Sequence, residues 1–263
     1  MKKNDFNESY PFIIKISNMN YLKKIIFMVC FAAGICHAQQ KNTDANYSFS
    51  GLIDQKIPVE LTVSVSKNVV LGNIRYVKTK DKKPIKIIGT LDSGNHYHLE
   101  EFENDGNISG IIDAVLKNGK LEGSWSSTKS DAVYPIALNV QTKVNPKPEI
   151  FSPVPSDRFE GTYTYQYGED GYQGSITIKK IKDQRYSYDI GSVTSAPGRN
   201  IADASGEVMI KNNQFTIEIN QSCSFLATFY NGFISITSVP SEQSRDCEFG
   251  MNATLDGTFL KVK

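Results

Sequence analysis

The sequence predicts an all-β chain with two antiparallel β-barrel-like domains in tandem, or two sandwiches, after an N-terminal signal peptide. Short segments of alternating apolar and polar residues follow one another along most of the chain. Turn pairs such as Asn118-Gly119 and Asn231-Gly232 separate several of them, and both residues of such a pair tolerate positive φ. No stretch shows a convincing helical period, so strands are expected throughout.

Residues 47–140 are predicted to form the first β domain. In residues 57–66 valine and leucine alternate with polar residues, as in an antiparallel strand with one buried face. Glycines inside the strands favour tight bending, and an even meander brings its last strand beside its first. A closed up-and-down barrel is therefore preferred, with a two-sheet sandwich as the alternative. The predicted strands are Tyr47–Ile53, Ile57–Ser66, Val69–Tyr76, Ile85–Leu91, His96–Phe102, Ile108–Leu116, Leu121–Trp125 and Tyr134–Val140.

Residues 141–157 are rich in proline, which predicts a stiff interdomain linker. Residues 158–263 are predicted to form a second β domain. Gly161-Thr162-Tyr163 lies near its start and Gly257-Thr258-Phe259 near its end, and these could pair as the first and last strands of a closed sheet. The predicted strands are Phe159–Tyr165, Tyr172–Lys179, Gln184–Thr194, Asp203–Ile210, Gln214–Ile219, Cys223–Tyr230, Phe233–Ile236 and Thr258–Val262.

Residues 1–38 are predicted to be a signal peptide. Two lysines precede an apolar run over residues 25–36, and Ala38 supplies a small residue at the expected cleavage site. The run is shorter than the roughly 20 residues of a membrane-spanning helix, so no stable membrane span is expected. Met19 is an alternative start, and the polar residues 39–46 are predicted to be a disordered lead. The mature chain is therefore expected to be exported, to the periplasm or outside the cell.

The expected mature chain is nearly neutral. Removal of residues 1–38 takes away five lysines and two acidic residues, and leaves 24 basic and 26 acidic side chains. A nucleic-acid partner would require a basic face, so this balance argues against one. Only Cys223 and Cys247 remain among the cysteines, and in an oxidising compartment they are expected to form a disulfide.

The sequence offers little that suggests catalysis. His96, His98 and Glu100 share one face of a predicted strand and are the only conceivable metal set. Zinc sites need three or four converging ligands, so two solvent-facing histidines are the preferred interpretation, and no metal or cofactor is predicted. A Ser-His-Asp hydrolase would need a nucleophile on a sharp strand-to-helix turn, which is not found. A non-enzymatic protein is preferred, without any catalytic residue.

Two loops of the second half are candidates for binding a partner. Residues 166–172 combine acidic, aromatic and glycine residues, a composition that makes contacts at low entropic cost. Residues 195–200 form a long polar connection, and loops fixed on a rigid sheet often carry function. The candidate binding residues are Tyr167, Glu169, Asp170, Tyr172, Arg199 and Asn200.

The C-terminal part carries the most specific pattern of the chain. Cys223 is followed by Phe225 and Phe229, then by Asp246-Cys247-Glu248-Phe249-Gly250, and then by Asp256-Gly257-Thr258-Phe259. Over roughly the last 40 residues this pattern resembles the end of small exported bacterial all-β proteins, some of which are labelled lysozyme-inhibitor-like. The resemblance implies a stabilising or binding module and no enzyme.

Three functions therefore compete. The preferred one is an exported, non-enzymatic module that binds a protein or glycan of the cell envelope, including as an inhibitor of a hydrolase such as lysozyme. The first alternative is a β-barrel that binds a carbohydrate or apolar ligand inside, which would need an internal cavity above about 300 Å³. Large residues such as Phe225 and Phe229 predict a filled interior instead. The second alternative is a hydrolase with two carboxyl groups about 5 to 9.5 Å apart in a cleft.

Overall fold

The structure is a computed structural model that describes residues 45–80, 83–144, 154–155, 158–240 and 247–263. The predicted signal peptide and most of the predicted lead and linker lie outside these residues. Within them the chain forms sixteen β-strands, and no helix there is long and apolar enough to cross a membrane. The strands are β1 Ala45–Ile53, β2 Ile57–Ser66, β3 Val69–Tyr76, β4 Ile85–Leu91, β5 His96–Phe102, β6 Asn107–Lys117, β7 Lys120–Ser127, β8 Val133–Val144, β9 Gly161–Tyr167, β10 Gln173–Lys182, β11 Arg185–Val193, β12 Ile201–Met209, β13 Gln214–Asn220, β14 Cys223–Tyr230, β15 Phe233–Ser238 and β16 Gly257–Lys261.

The first eight strands form a closed antiparallel barrel. Each strand from β1 to β7 pairs with the next one along the chain, and β8 returns to pair with β1, with Phe49 opposite Val140. The predicted up-and-down barrel is therefore confirmed. Its interior is filled by fully buried side chains such as Phe49, Leu61 and Leu99.

Two glycines within the barrel strands lie where the neighbouring strand approaches too closely for a Cβ atom. A Cβ atom on Gly72 would lie 1.9 Å from the carbonyl oxygen of Thr62, and one on Gly89 would lie 2.1 Å from that of His98. Both distances are far below van der Waals contact, so the paired strands approach more closely than any other residue allows.

The second eight strands form an antiparallel meander that is not a closed ring. As predicted, its last strand pairs with its first, with Leu260 opposite Thr164. However, β12 pairs only with β11, and β13 only with β14 among the described strands, so the predicted second barrel is open between β12 and β13. The rings of Tyr188 and Phe215 lie 5.5 Å apart, so side chains from β11 and β13 meet although β12 and β13 are not paired with each other.

The first barrel has its own interior core, and the core of the second half also includes residues of that barrel. Parallel pairing of β6 with β9 places Ile108 opposite Tyr167. Leu71, Ile88 and Phe102 of the first barrel belong to the same buried cluster as the aromatic residues of the second half. The barrel's outer face thus serves as part of the second half's core.

The predicted disulfide between Cys223 and Cys247 is present. It ties the start of β14 to the irregular residues 247–256, which lie against β11 and β12. Gly250 N donates to Ile201 O at 3.1 Å, and Leu255 is fully buried. This segment covers one end of the second half.

The ends of the first barrel differ from the predicted boundaries. β1 begins at Ala45, so the last two residues of the predicted disordered lead are in a strand. β8 continues to Val144, four residues into the predicted linker. Both extensions arise because β1 and β8 pair with each other, with Asn46 opposite Val144.

Candidate functional site

The two loops predicted to bind a partner lie together in the structure. Ala196 N donates to Asp170 O at 2.7 Å. The Nη2 group of Arg199 donates to Glu169 O at 3.1 Å and reaches Asp170 Oδ1 at 3.4 Å. Residues 167–172 and 195–200 therefore form one surface, which we call the loop cluster.

Arg199 and Asn200 act mainly within this cluster. The guanidinium of Arg199, a predicted binding residue, is held by the neighbouring loop, and its backbone adopts a positive φ of 49°. The Asn200 side chain donates to Met251 O at 2.9 Å and so connects the cluster to the segment tethered by the disulfide. Both residues position the loops.

The remaining predicted residues divide into exposed and inward-facing groups. Glu169 is exposed, the Asp170 side chain is 86% exposed, and Tyr172 is 39% exposed. Tyr167 instead points toward the first barrel, where its hydroxyl donates to a carboxylate oxygen of Glu100. Burial and the Glu100 charge raise the pKa of Tyr167, so the hydroxyl keeps its proton.

Glu100 belongs to a chain of charged groups at the junction of the halves. The side chain is 9% exposed, and its Oε1 lies 3.7 Å from His98 Nε2. On the other side of the ring, His98 Nδ1 lies 2.7 Å from Asp113 Oδ1. The Glu100 and Asp113 carboxylates raise the pKa of His98 to about 9 against the opposing effect of burial, so the imidazole is a cation at neutral pH.

His98 is therefore ion-paired, which the preferred interpretation as simple solvent-facing residues did not include. His96 also lies near carboxylates, 3.6 Å from Asp92 and 3.9 Å from Asp113. Within the described ranges no group of three or more His, Cys, Asp or Glu side chains is arranged to hold a metal ion. Asp113 was missed because it lies on β6, opposite His98, and only the register brings them together.

The adjacent acids Glu100 and Glu101 face opposite sides of β5. Glu101 is 2% exposed and accepts hydrogen bonds from Tyr76 Oη at 2.7 Å and Trp125 Nε1 at 2.9 Å, near the interior of the first barrel. Burial raises the pKa of the Glu101 carboxyl above its ordinary value. Because Glu100 instead contacts Tyr167, these two carboxylates do not share a cleft as a glycosidase pair does.

A groove of about 870 Å³ lies between the loop cluster and the first barrel, and we call it the junction groove. Residues 127–131 form one side, and residues 166–171 form the other. Three exposed carboxylates line it, from Asp131, Glu169 and Asp170. Its lysine, Lys129, is paired with a neighbouring glutamate at 2.7 Å. Asp170 is likewise paired with Arg199 at 3.4 Å, so the negative charge that the groove presents to solvent comes mainly from Asp131 and Glu169.

The interior of the second half is filled by aromatic rings. Phe225 is fully buried, and Phe215 and Phe229 are 4% and 2% exposed. Side chains occupy the space that an internal ligand would need, so the groove is the stronger candidate site.

The arrangement is suited to binding: an acidic groove is formed by a rigid barrel on one side and by loops held in place on the other. It brings together Glu169, Asp170 and Arg199, and it turns Tyr167 inward. Comparison of the chain with protein-family models, with curated proteins and with solved structures finds no match.

Proposed function

We propose that this chain is an exported, non-enzymatic binding protein that engages a cationic protein surface through the junction groove. One observation carries the proposal: Asp131 from the first half and Glu169 and Asp170 from the second line one solvent-facing groove. Opposite charges on two proteins speed their encounter and fix their relative orientation.

The construction of the loop cluster supports such a role. Arg199 and Asn200 hold the loops by hydrogen bonds to Glu169 and Met251, so little conformational entropy is lost when a partner binds. Tyr172 adds exposed aromatic area beside the carboxylates, and aromatic residues are enriched in protein interfaces.

The proposed class of partner is a cationic hydrolase of the cell envelope, such as lysozyme. The predicted signal peptide would bring the chain to the compartment where such enzymes act. The C-terminal pattern around Cys247 resembles exported proteins that include some labelled lysozyme-inhibitor-like. An inhibitor must cover a cleft, and the rim formed by residues 167–172 is the element expected to do so.

The test measures hydrolysis of cell-wall suspensions by several lysozyme types in the presence of excess purified residues 39–263. Binding kinetics to each lysozyme are measured in parallel. The charge variant is Glu169→Gln/Asp170→Asn, and the matched control, Glu122→Gln/Asp183→Asn, removes two exposed acids that do not line the groove.

We expect the groove variant to reduce the association rate constant about three- to tenfold, and the control to leave it unchanged. The difference should shrink as the ionic strength rises past about 0.15 M, because the interaction is then screened. Undiminished hydrolysis with every lysozyme, together with no measurable binding, would reject the proposal.

A second groove favours glycan binding as an alternative function. It has a volume of about 490 Å³ and is lined by amide and hydroxyl side chains, including Asn107, Gln166, Gln173 and Ser175. Open space lies above Gly191 at its floor, and side-chain amides and hydroxyls are suitable partners for sugar hydroxyl groups. Co-sedimentation with purified peptidoglycan, compared between the parent and Gln173→Ala, tests this alternative.

A further inference from the structure

The free edge of β12 is a second surface to consider, and none of its residues lines the junction groove. β12 pairs with β11 on one side, and no described strand pairs with its other side. Such an edge presents unpaired N–H and C=O groups and can accept a further strand.

The direction of each backbone group along β12 follows from its hydrogen bonds. Asn200 O accepts from Thr194 N and so faces β11, whereas Ile201 O accepts from Gly250 N on the other side. Because these directions alternate along an antiparallel strand, every second residue after Ile201 turns its N–H and C=O groups to the free edge. These residues are Asp203, Ser205, Glu207 and Met209.

The outer face of this edge is acidic. Asp203 and Glu207 are exposed, as is Asp189, which lies on β11 opposite Ser205. Glu207 forms an exposed ion pair with Arg185 at 3.6 Å, whereas Asp189 and Asp203 have no ion-pair partner among the described residues. The edge therefore favours a basic neighbour.

The residues on the inner face of β12 are less buried than those on the inner faces of β10 and β11. Gly206 is exposed and Val208 is partly exposed, although both side-chain positions face the interior. On β10 and β11, the inward-facing Ile176 and Ile190 are fully buried. Val208 is thus partly accessible to an apolar side chain of an added strand.

We propose that β12, from Asp203 to Met209, accepts an extended segment of a partner protein by strand addition. The segment carries two basic residues four positions apart, opposite Asp203 and Glu207, and apolar residues on its other face. Charged pairs of opposite sign across a ladder are stabilising, and like charges are destabilising. Antiparallel pairing of two copies about Ser205 would set Asp203 of one against Glu207 of the other, so a second copy is disfavoured.

The probe is a labelled nine-residue peptide of alternating threonine and valine, in which two of the threonines, four positions apart, are replaced by lysine. A second peptide carries glutamate at those two positions. Fluorescence anisotropy measures binding to the full chain, and hydrogen exchange with mass spectrometry measures protection of the peptide region that contains Ser205.

Two variants separate strand addition from simple charge attraction. Ser205→Pro removes an N–H at the free edge without removing a hydrogen bond to β11, and proline is tolerated on edge strands. Thr216→Pro is the matched control on β13, where the corresponding N–H also faces away from its paired strand. Asp203→Asn/Glu207→Gln changes the charge alone and does not depend on the proline variant folding.

We expect Ser205→Pro to weaken binding of the lysine peptide at least tenfold and Thr216→Pro to leave it unchanged. The charge variant should remove the preference for the lysine peptide over the glutamate peptide. Binding should slow exchange in the fragment containing Ser205. The proposal is overturned by any of three results: no binding at 1 mM peptide, equal binding to the parent and Ser205→Pro, or a dimer of the chain that Ser205→Pro dissociates.

Discussion

Removal of the disulfide by Cys223→Ala together with Cys247→Ala should lower the free energy of unfolding by about 3.5 kcal/mol. The two cysteines are 24 residues apart, and the loop-closure relation gives this value for a ring of that length. The effect should be concentrated in the second half, because the bond holds the segment that buries Leu255 and bonds to Ile201. For a chain of this size, the loss corresponds to a fall in Tm of about 7 to 14 °C.

The assay compares urea and thermal unfolding of the parent, the double variant and the parent under reducing conditions. Fluorescence of Trp125 reports the first barrel, since it is the chain's one tryptophan, and far-UV circular dichroism reports the whole fold. Because Leu71 and Phe102 of the first barrel lie in the core of the second half, both signals should shift together.

Two results would contradict this reasoning. A double variant that melts within 1 °C of the parent would show that closure of the loop contributes little to stability. A shift in circular dichroism with an unchanged Trp125 signal would show that the halves unfold independently, and that the shared core does not couple them.

Three further predictions concern the buried charged groups. Tyr167→Phe leaves Glu100, which is 7% exposed, without its hydroxyl donor and should cost about 1 to 3 kcal/mol in urea unfolding. The pKa of His98 is raised from 6.5 to about 9, so the stability that its positive charge contributes is complete below pH 6.5 and is lost as the pH rises through 9. The difference in free energy of unfolding between the parent and His98→Asn should therefore shrink over this pH range. We expect a change of about 1 kcal/mol, because the side chain is 43% exposed and solvent screens the ion pairs. Burial raises the pKa of Glu101, so this carboxyl stabilises the fold most below its ordinary pKa of 4.5. The parent loses this contribution as the pH rises from 4.5 to 7, whereas Glu101→Gln does not titrate. The variant should therefore gain stability relative to the parent over this range.

Each of these variants has a control on an exposed or weakly paired residue. Tyr172→Phe, His96→Asn and Glu122→Gln should each change the free energy of unfolding by less than about 0.5 kcal/mol at neutral pH. If Tyr167→Phe is as mild as Tyr172→Phe, the bond between the halves contributes nothing measurable. The charge assigned to His98 would be refuted if the free energy of unfolding of His98→Asn varied with pH as that of the parent does. The raised pKa of Glu101 would be refuted if Glu101→Gln lost stability relative to the parent as the pH rises.

Most of the local structure could be predicted from the sequence. Five strands have the predicted bounds, and they are β2, β3, β4, β5 and β14. Alternating side chains and turn pairs such as Asn231-Gly232 are encoded within a few residues, so they need no knowledge of the rest of the fold. The disulfide could also be predicted, since the expected signal peptide leaves only Cys223 and Cys247.

The candidate site could be predicted only in part. The composition of residues 166–172 and 195–200 identified both loops, and they do form one surface. The inward turn of Tyr167 depends on Glu100, 67 residues earlier in the chain. Likewise, the ion pair of His98 depends on Asp113 in the neighbouring strand.

The sequence by itself therefore determined most strands and their turns, because these are specified by neighbouring residues, and it predicted the cysteine pair. Only the tertiary structure decided which strand edges pair, which carboxylates are buried and where the second half stays open. Strand alternation has a period of two and is the same for a closed ring and an open sheet. The difference lies in long-range contacts, such as that between the Tyr188 and Phe215 rings near the free edge of β12.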